Sequence, residues 1–149
     1  MYKIEALLHP GLIHFGIGLV LFGWIFYAFT LFFKKNDMAF QKFSLFLLLL
    51  GGLGTLLALL TGMLFVSHYT GEAGAFQQIH KNLAHLTFFA ITVTCAIKLV
   101  ALVRYKNVAA LPWLTFIFYT FSAFLIGMTG YLGGNLAYGV LIKGGLAPL

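Results

Sequence analysis

Four long apolar stretches constrain the fold of this chain more than any other feature of its sequence. They cover residues of about 10–33, 43–66, 81–103 and 111–132, and about 20 apolar residues of α-helix are enough to cross the hydrocarbon core of a bilayer. Only 8% of the residues are charged, against about a quarter in soluble globular proteins. We therefore predict an all-α integral membrane protein, a single four-transmembrane-helix bundle over residues 1–149, in which each helix satisfies its own backbone hydrogen bonds.

The basic residues are unevenly distributed between the two sides of the predicted bundle. One side carries Lys34, Lys35, Lys42, Arg104 and Lys106, and the other carries Lys3, Lys81 and Lys143 with Glu5 and Glu72. Because cytoplasmic loops are enriched in lysine and arginine, we expect both termini on the outer, periplasmic side of a bacterial inner membrane. This asymmetry accounts for the net charge of +6, so the lipid bilayer is an expected partner and nucleic acid is not. Lys98, inside the third span, is expected to extend its ammonium group to the membrane surface.

The chain contains an internal repeat of two helical hairpins. "HPGLIH" begins the first span and "HKNLAH" begins the third. Their first histidines, His9 and His80, are 71 residues apart, and so are their second histidines, His14 and His85. The Thr-Gly pairs at Thr61 and Thr129 lie near the ends of the second and fourth spans, 68 residues apart. We therefore predict two hairpins of the same direction, related by a pseudo-two-fold axis along the membrane normal.

All five histidines, His9, His14, His68, His80 and His85, fall on the predicted outer side of the bundle. In an up-down-up-down bundle the first and third helices are diagonal partners, so His14 and His85 are expected to face each other at matching depth. Pro10 suits the first position of a helix and favours an extended conformation at His9, so the direction of His9 does not follow from helical periodicity.

A pair of imidazoles between helices in apolar surroundings is typical of a b-type haem site. We predict His14 and His85 as axial ligands of the haem iron near the outer face, with one haem and at most two. His9 and His80 are predicted as a second ligand pair or as partners of the haem propionates, and His68 is a weaker candidate with a surface role favoured. Zinc or copper would require a compact cluster of three or four ligands. The two-fold arrangement of the histidines favours a haem over such a cluster.

Four segments resemble a family of small four-helix bacterial membrane proteins known as domain of unknown function 2231. They are "LHPGLIHFGIGL" in the first span, the Thr-Gly pair ending the second, the histidine pair opening the third, and the terminal "GYLGGNLAYG". Members of that family also occur fused to Rieske or cytochrome c domains, which implies a setting in electron transfer. The resemblance implies functional roles for His9, His14 and His85.

We interpret the chain as a membrane b-type haem protein or haem-bearing subunit in respiratory electron transfer, with redox partner proteins and a quinone as expected partners. The alternative is a cofactor-free accessory subunit that packs against a larger respiratory membrane complex. A zinc- or copper-binding membrane protein is a weaker alternative. The sequence shows no nucleophile and base pair, phosphate loop or paired carboxylates, so an enzyme acting alone is not indicated.

Overall fold

The computed structural model describes the backbone of residues 4–66, 68–104 and 110–141, and the side chains of 11–66, 68–104 and 110–137. These residues form α1 (Ile4–Phe33), α2 (Met38–Phe65), α3 (Gly71–Arg104) and α4 (Leu111–Leu141). All four helices are long and apolar enough to cross a membrane, which confirms the predicted four-transmembrane-helix fold.

Three helices begin before the apolar stretches that predicted them. Helix α1 begins at Ile4, α2 at Met38 and α3 at Gly71. An α-helix can extend beyond the hydrocarbon core into the polar interface, where its residues need not be apolar. Pro10 therefore lies inside α1, where it removes one backbone hydrogen bond near the helix start. The extended conformation expected for His9 is wrong, since its backbone is helical.

Short connections make consecutive helices antiparallel. Residues 34–37 join α1 to α2, and the Asp37 carboxylate accepts hydrogen bonds from the backbone N–H groups of Ala39 at 3.0 Å and Phe40 at 3.4 Å. Gly71, at a φ of +63°, begins α3, in a conformation that glycine adopts without steric cost. We call the end of the bundle with the 34–37 connection the loop end, and the end where α1 begins and α4 ends the histidine end.

The helices are arranged in a closed four-membered ring. Helix α1 packs against α2 and α4, and α3 packs against the same two helices. Helices α1 and α3 are therefore diagonal partners, as the repeat predicted.

The pattern of buried residues reproduces the internal repeat. Buried positions of α1 and α3 coincide at the separation of 71 residues: Gly16 and Thr87, Val20 and Ile91, Gly23 and Thr94, Tyr27 and Lys98. Buried positions of α2 and α4 coincide at 68: Ser44 and Pro112, Leu47 and Thr115, Gly51 and Tyr119, Gly54 and Ser122, Ala58 and Ile126. The two hairpins thus present equivalent faces to the core, which confirms the pseudo-two-fold relation.

Helices α1 and α2 approach each other backbone to backbone. A Cβ atom placed on Gly54 would lie 3.0 Å from the Cα of Gly16, and one on Gly51 would lie 2.7 Å from Cγ2 of Val20. Small residues allow this approach in lipid, where van der Waals packing rather than water exclusion holds helices together.

Helices α3 and α4 are joined by paired hydroxyl groups instead. The Oγ1 atoms of Thr87 and Thr129 are 2.8 Å apart, and Oγ1 of Thr94 lies 3.0 Å from Oγ of Ser122. Interhelical hydrogen bonds of this kind stabilise helix association in the membrane.

Lys98 lies in the core of the bundle and is only 2% exposed, so the expectation that it reaches the membrane surface is wrong. Its Nζ atom donates a hydrogen bond to Oε1 of Gln41 and lies 3.9 Å from the centroid of the Tyr27 ring. The Gln41 amide in turn donates to the Lys35 carbonyl at 3.1 Å, and the Tyr27 hydroxyl donates to the Pro112 carbonyl at 2.9 Å. These contacts, which we call the Lys98 network, involve residues of all four helices near the loop end.

The periodicity of α3 explains why Lys98 is buried. It lies seven residues after Ile91 and four after Thr94, so all three share the face that packs into the bundle. At two turns or fewer along a helix, such positions are stacked above one another.

The close approach of α1 and α2 predicts opposite effects for two glycine-to-alanine changes. Gly54→Ala should lower the free energy of unfolding by about 1–3 kcal/mol, because the added methyl group meets the backbone of Gly16. Gly18→Ala, in the same bundle but with no atom within 4 Å of its Cβ position, should be neutral or raise it by up to about 1 kcal/mol. Reversible unfolding in detergent, followed by circular dichroism, measures both, and equal effects would contradict the packing described.

The Lys98 network predicts a compensating pair of substitutions. Lys98→Met keeps the side-chain volume but leaves the Gln41 carbonyl without its donor, which should cost about 1–3 kcal/mol of unfolding free energy. Adding Gln41→Leu should recover most of that loss, since replacing both partners of a buried polar pair is often close to neutral. A double-mutant cycle with Gln41→Leu alone measures the coupling, and additive effects would contradict the contact.

Candidate functional site

The five histidines are found at the histidine end, where we place the candidate site. His14 and His85 each lie nineteen residues before the last residue of their helix, Phe33 in α1 and Arg104 in α3. At 1.5 Å per residue this is about 28 Å from the loop end, close to the thickness of a hydrocarbon core. The two imidazoles therefore lie at matching depths, near one border of the apolar region.

His14 and His85 are nevertheless directed away from the bundle core. Both are exposed, whereas Gly16 and Thr87, two residues further along, are buried. Two residues correspond to about 200° around an α-helix, so each histidine is on the opposite face from the core. The structure does not bring the two rings together across the axis, contrary to the expectation that they face each other.

Other equivalent residues meet across the pseudo-two-fold axis. Val20 and Ile91 belong to one buried cluster, and Lys98 packs on the ring of Tyr27 nearer the loop end. The interior is therefore closed by side chains of the chain itself at these levels.

His85 has a defined orientation on the outward face of α3. Its Nδ1 atom is 2.8 Å from the carbonyl oxygen of Lys81, one turn earlier in the same helix. A carbonyl only accepts, so Nδ1 carries the hydrogen, and in a neutral ring the lone pair is then on Nε2. This backbone contact is the usual second interaction of metal-binding histidines, in which it fixes the tautomer and the ring.

His68 and Lys81 extend this group of polar residues toward the histidine end. His68, in the connection between α2 and α3, is exposed, and its Nδ1 atom is 3.2 Å from Nζ of Lys81. The ammonium group can only donate, so His68 accepts through Nδ1. We call His68, Lys81 and His85 the Lys81 cluster, since Lys81 contacts one histidine through its side chain and the other through its backbone.

His80 has a different environment from that of His85. It is half-buried, and its ring packs on Gly133 of α4, where an added Cβ atom would lie 2.9 Å from Cε1 of the imidazole. Gly133 thus provides the space that the His80 ring occupies. His9, its counterpart in the repeat, lies in α1 with a side chain outside the described residues.

The described residues contain no group of three histidine, cysteine, aspartate or glutamate side chains close enough together to hold a metal ion. His85 and His14 could each contribute one ligand on separate outward faces. A bis-histidine site formed by these two residues inside one bundle does not fit the structure.

Sequence reasoning missed Lys81 as a member of the site and Lys98 as a core residue. In the sequence, Lys81 contributed only to the charge difference between the two sides of the bundle. Its contact with His68 could not be predicted, because the two residues are far apart in the sequence. The separation of 71 residues does pair Lys98 with Tyr27, and this could have indicated its burial from the sequence.

Comparison with known proteins gives one match. A family model described as "Predicted membrane protein (DUF2231)" matches residues 6–143, a range that extends from α1 through α4. No curated protein and no solved structure matches the chain.

The packing of His80 on Gly133 predicts a local spectroscopic change. Gly133→Ala should displace the imidazole and shift its ring resonances, because the new methyl group overlaps Cε1 of His80. Gly134→Ala is the matched control, since no atom lies within 4 Å of its Cβ position. Side-chain NMR of histidine-labelled protein in detergent measures this, and His80 resonances unchanged in Gly133→Ala would contradict the contact.

Proposed function

The chain belongs to the DUF2231 family of predicted membrane proteins, and we propose that it is a b-type haem-bearing subunit in membrane electron transfer. The observation that carries the proposal is the orientation of His85, whose Nδ1 atom donates to the Lys81 carbonyl at 2.8 Å. An exposed imidazole held in this way is prepared to bind a metal through Nε2.

The surroundings of the two outward histidines support a haem rather than a small hydrated ion. Phe15 follows His14 and is 55% exposed, while Leu86 and Phe89, near His85, are 45% and 65% exposed. These apolar side chains suit the face of a macrocycle. Such side chains lie beside His14 on α1 and beside His85 on α3, so each histidine would hold one haem.

No single haem inside the bundle would be held by both His14 and His85. The two histidines lie on opposite outward faces of one bundle, and the core between α1 and α3 is filled by Val20 and Ile91. When bound, the haem would supply one-electron transfer, between a membrane donor such as a quinol and an acceptor protein at the histidine end. The chain would hold and orient the iron through His85 and His14.

The distribution of basic residues supports an orientation for this subunit. Lys34, Lys35 and Lys42 lie at the loop end, which we assign to the cytoplasmic side of a bacterial inner membrane. The histidine end would then face the periplasm, with both termini on that side.

Haem binding by His85 and His14 is tested by optical spectroscopy of the full-length protein, purified in mild detergent after haem-replete expression. We expect a b-type reduced-minus-oxidised spectrum and a pyridine haemochrome of protohaem. His85→Ala and His14→Ala should each lower the haem content, because each removes one of the two proposed ligands, and the double variant should lose nearly all of the bound haem.

Asn82→Ala is the matched control, since Asn82 is an exposed residue on the same face of α3, three residues before His85. It should keep the wild-type haem content. Absence of haem from the wild-type protein, or an unchanged haem content in the double variant, would refute the proposal.

A cofactor-free accessory subunit is the second candidate. It is favoured by the closed interior of the bundle and by the lack of a three-residue metal-binding group among the described residues. The outward histidines would then contact a larger respiratory complex. Co-purification with such a complex, in haem-free form and undiminished by His14→Ala with His85→Ala, would favour this candidate.

A further inference from the structure

Lys81 lies one turn before the candidate iron ligand on the outward face of α3. Lys81 precedes His85 by four residues, which is about 6 Å along the helix toward the histidine end, and its carbonyl oxygen receives the His85 hydrogen bond. His85 lies near the border of the apolar region, so Lys81 lies at or just beyond that border. The backbone of Lys81 is therefore one turn from the imidazole, on its polar side, and its ammonium group contacts His68.

His68 holds the lysine side chain in this position. The contact between Nζ of Lys81 and Nδ1 of His68 spans 3.2 Å and occupies one of the three N–H donors of the ammonium group. His68 accepts this bond through a ring nitrogen and carries no carboxylate, so it does not neutralise the ammonium charge. The cluster thus keeps the net positive charge of Lys81.

The described part of the chain supplies no carboxylate at this place. Its two acidic side chains are Asp37 and Glu72. Asp37 caps α2 at the loop end, and Glu72 lies in the first turn of α3, nine residues before Lys81. An oriented lysine at the polar border of an apolar surface, with no acidic partner among the described side chains, suits an amphipathic anion with its charge on one edge.

We propose that Lys81, held by His68, binds the propionate carboxylates of the haem whose iron is bound by His85. This inference rests on the proposed haem function and assigns the residue that recognises the charged edge of the macrocycle. Hydrogen bonds between an ammonium group and a carboxylate are stronger than neutral ones.

The test compares protohaem with its dimethyl ester, in which both carboxylates are masked. Full-length apoprotein in nanodiscs of zwitterionic lipid is titrated with each compound and followed by absorbance. Wild-type protein should bind protohaem at least about tenfold more tightly than the ester, the value of one charge-assisted hydrogen bond. Lys81→Met should lose this preference and bind the ester as the wild type does, whereas Lys81→Arg should keep it.

Two controls make the outcomes separable. Lys42→Met removes an exposed lysine at the loop end and should keep the preference for protohaem, while circular dichroism checks the helical fold of each variant. If Lys81→Met still prefers protohaem, the role of Lys81 is refuted and haem binding stands. If the wild-type protein binds neither compound, or His85→Ala with His14→Ala binds both as the wild type does, the proposed function fails and this inference fails with it.

Discussion

The structure depends on the absence of water from the hydrocarbon core, since every polar group there must find its partner within the protein. The buried threonine hydroxyl groups donate to the carbonyl four residues earlier in their own helix, as Thr30 does to Phe26 at 2.8 Å and Thr115 to Leu111 at 2.9 Å. The buried Tyr119 hydroxyl is an exception, with no hydrogen-bond partner among the described residues. Lys98 meets the same requirement through Gln41 and the face of Tyr27. Buried polar residues therefore join the helices of this bundle rather than marking its surface.

The two hairpins of the repeat meet this constraint with different side chains at equivalent positions. The first hairpin closes its helix pair with glycines, Gly16 against Gly54. The second has hydroxyl groups at the corresponding positions, where Thr87 contacts Thr129 and Ser122 contacts Thr94. Where α2 has Gly51, α4 has the large side chain of Tyr119, whose hydroxyl occupies the space left by the missing side chain of Gly23. The pseudo-two-fold relation is therefore one of backbone and burial, while the core is asymmetric.

The proposed site lies at the outer surface of the histidine end, because the interior of the bundle is occupied by its own side chains. The core is filled between α1 and α3 at the level of Val20 and Ile91, whereas His14 and His85 are exposed beside apolar side chains. A cofactor or partner on these faces would complete a site of which the bundle supplies one half. The Lys81 cluster distinguishes the α3 face from the α1 face, because it adds a positive charge next to the imidazole.

The sequence by itself determined the membrane class, the four helices, their hairpin repeat and the gathering of the histidines at one end, because these follow from apolar length and from separations along the chain. The sequence also determined that His14 and His85 lie at matching depths, because depth along a helix follows from the number of residues. It could not determine which faces of α1 and α3 turn inward, since nearly every position in a lipid-embedded helix is apolar and gives little amphipathic signal. Tertiary packing decided which faces turn inward, through the contacts of Gly16, Thr87 and Lys98 with neighbouring helices. Helix backbones approach each other where side chains are small, and polar side chains turn inward where a neighbouring helix provides a hydrogen-bond partner.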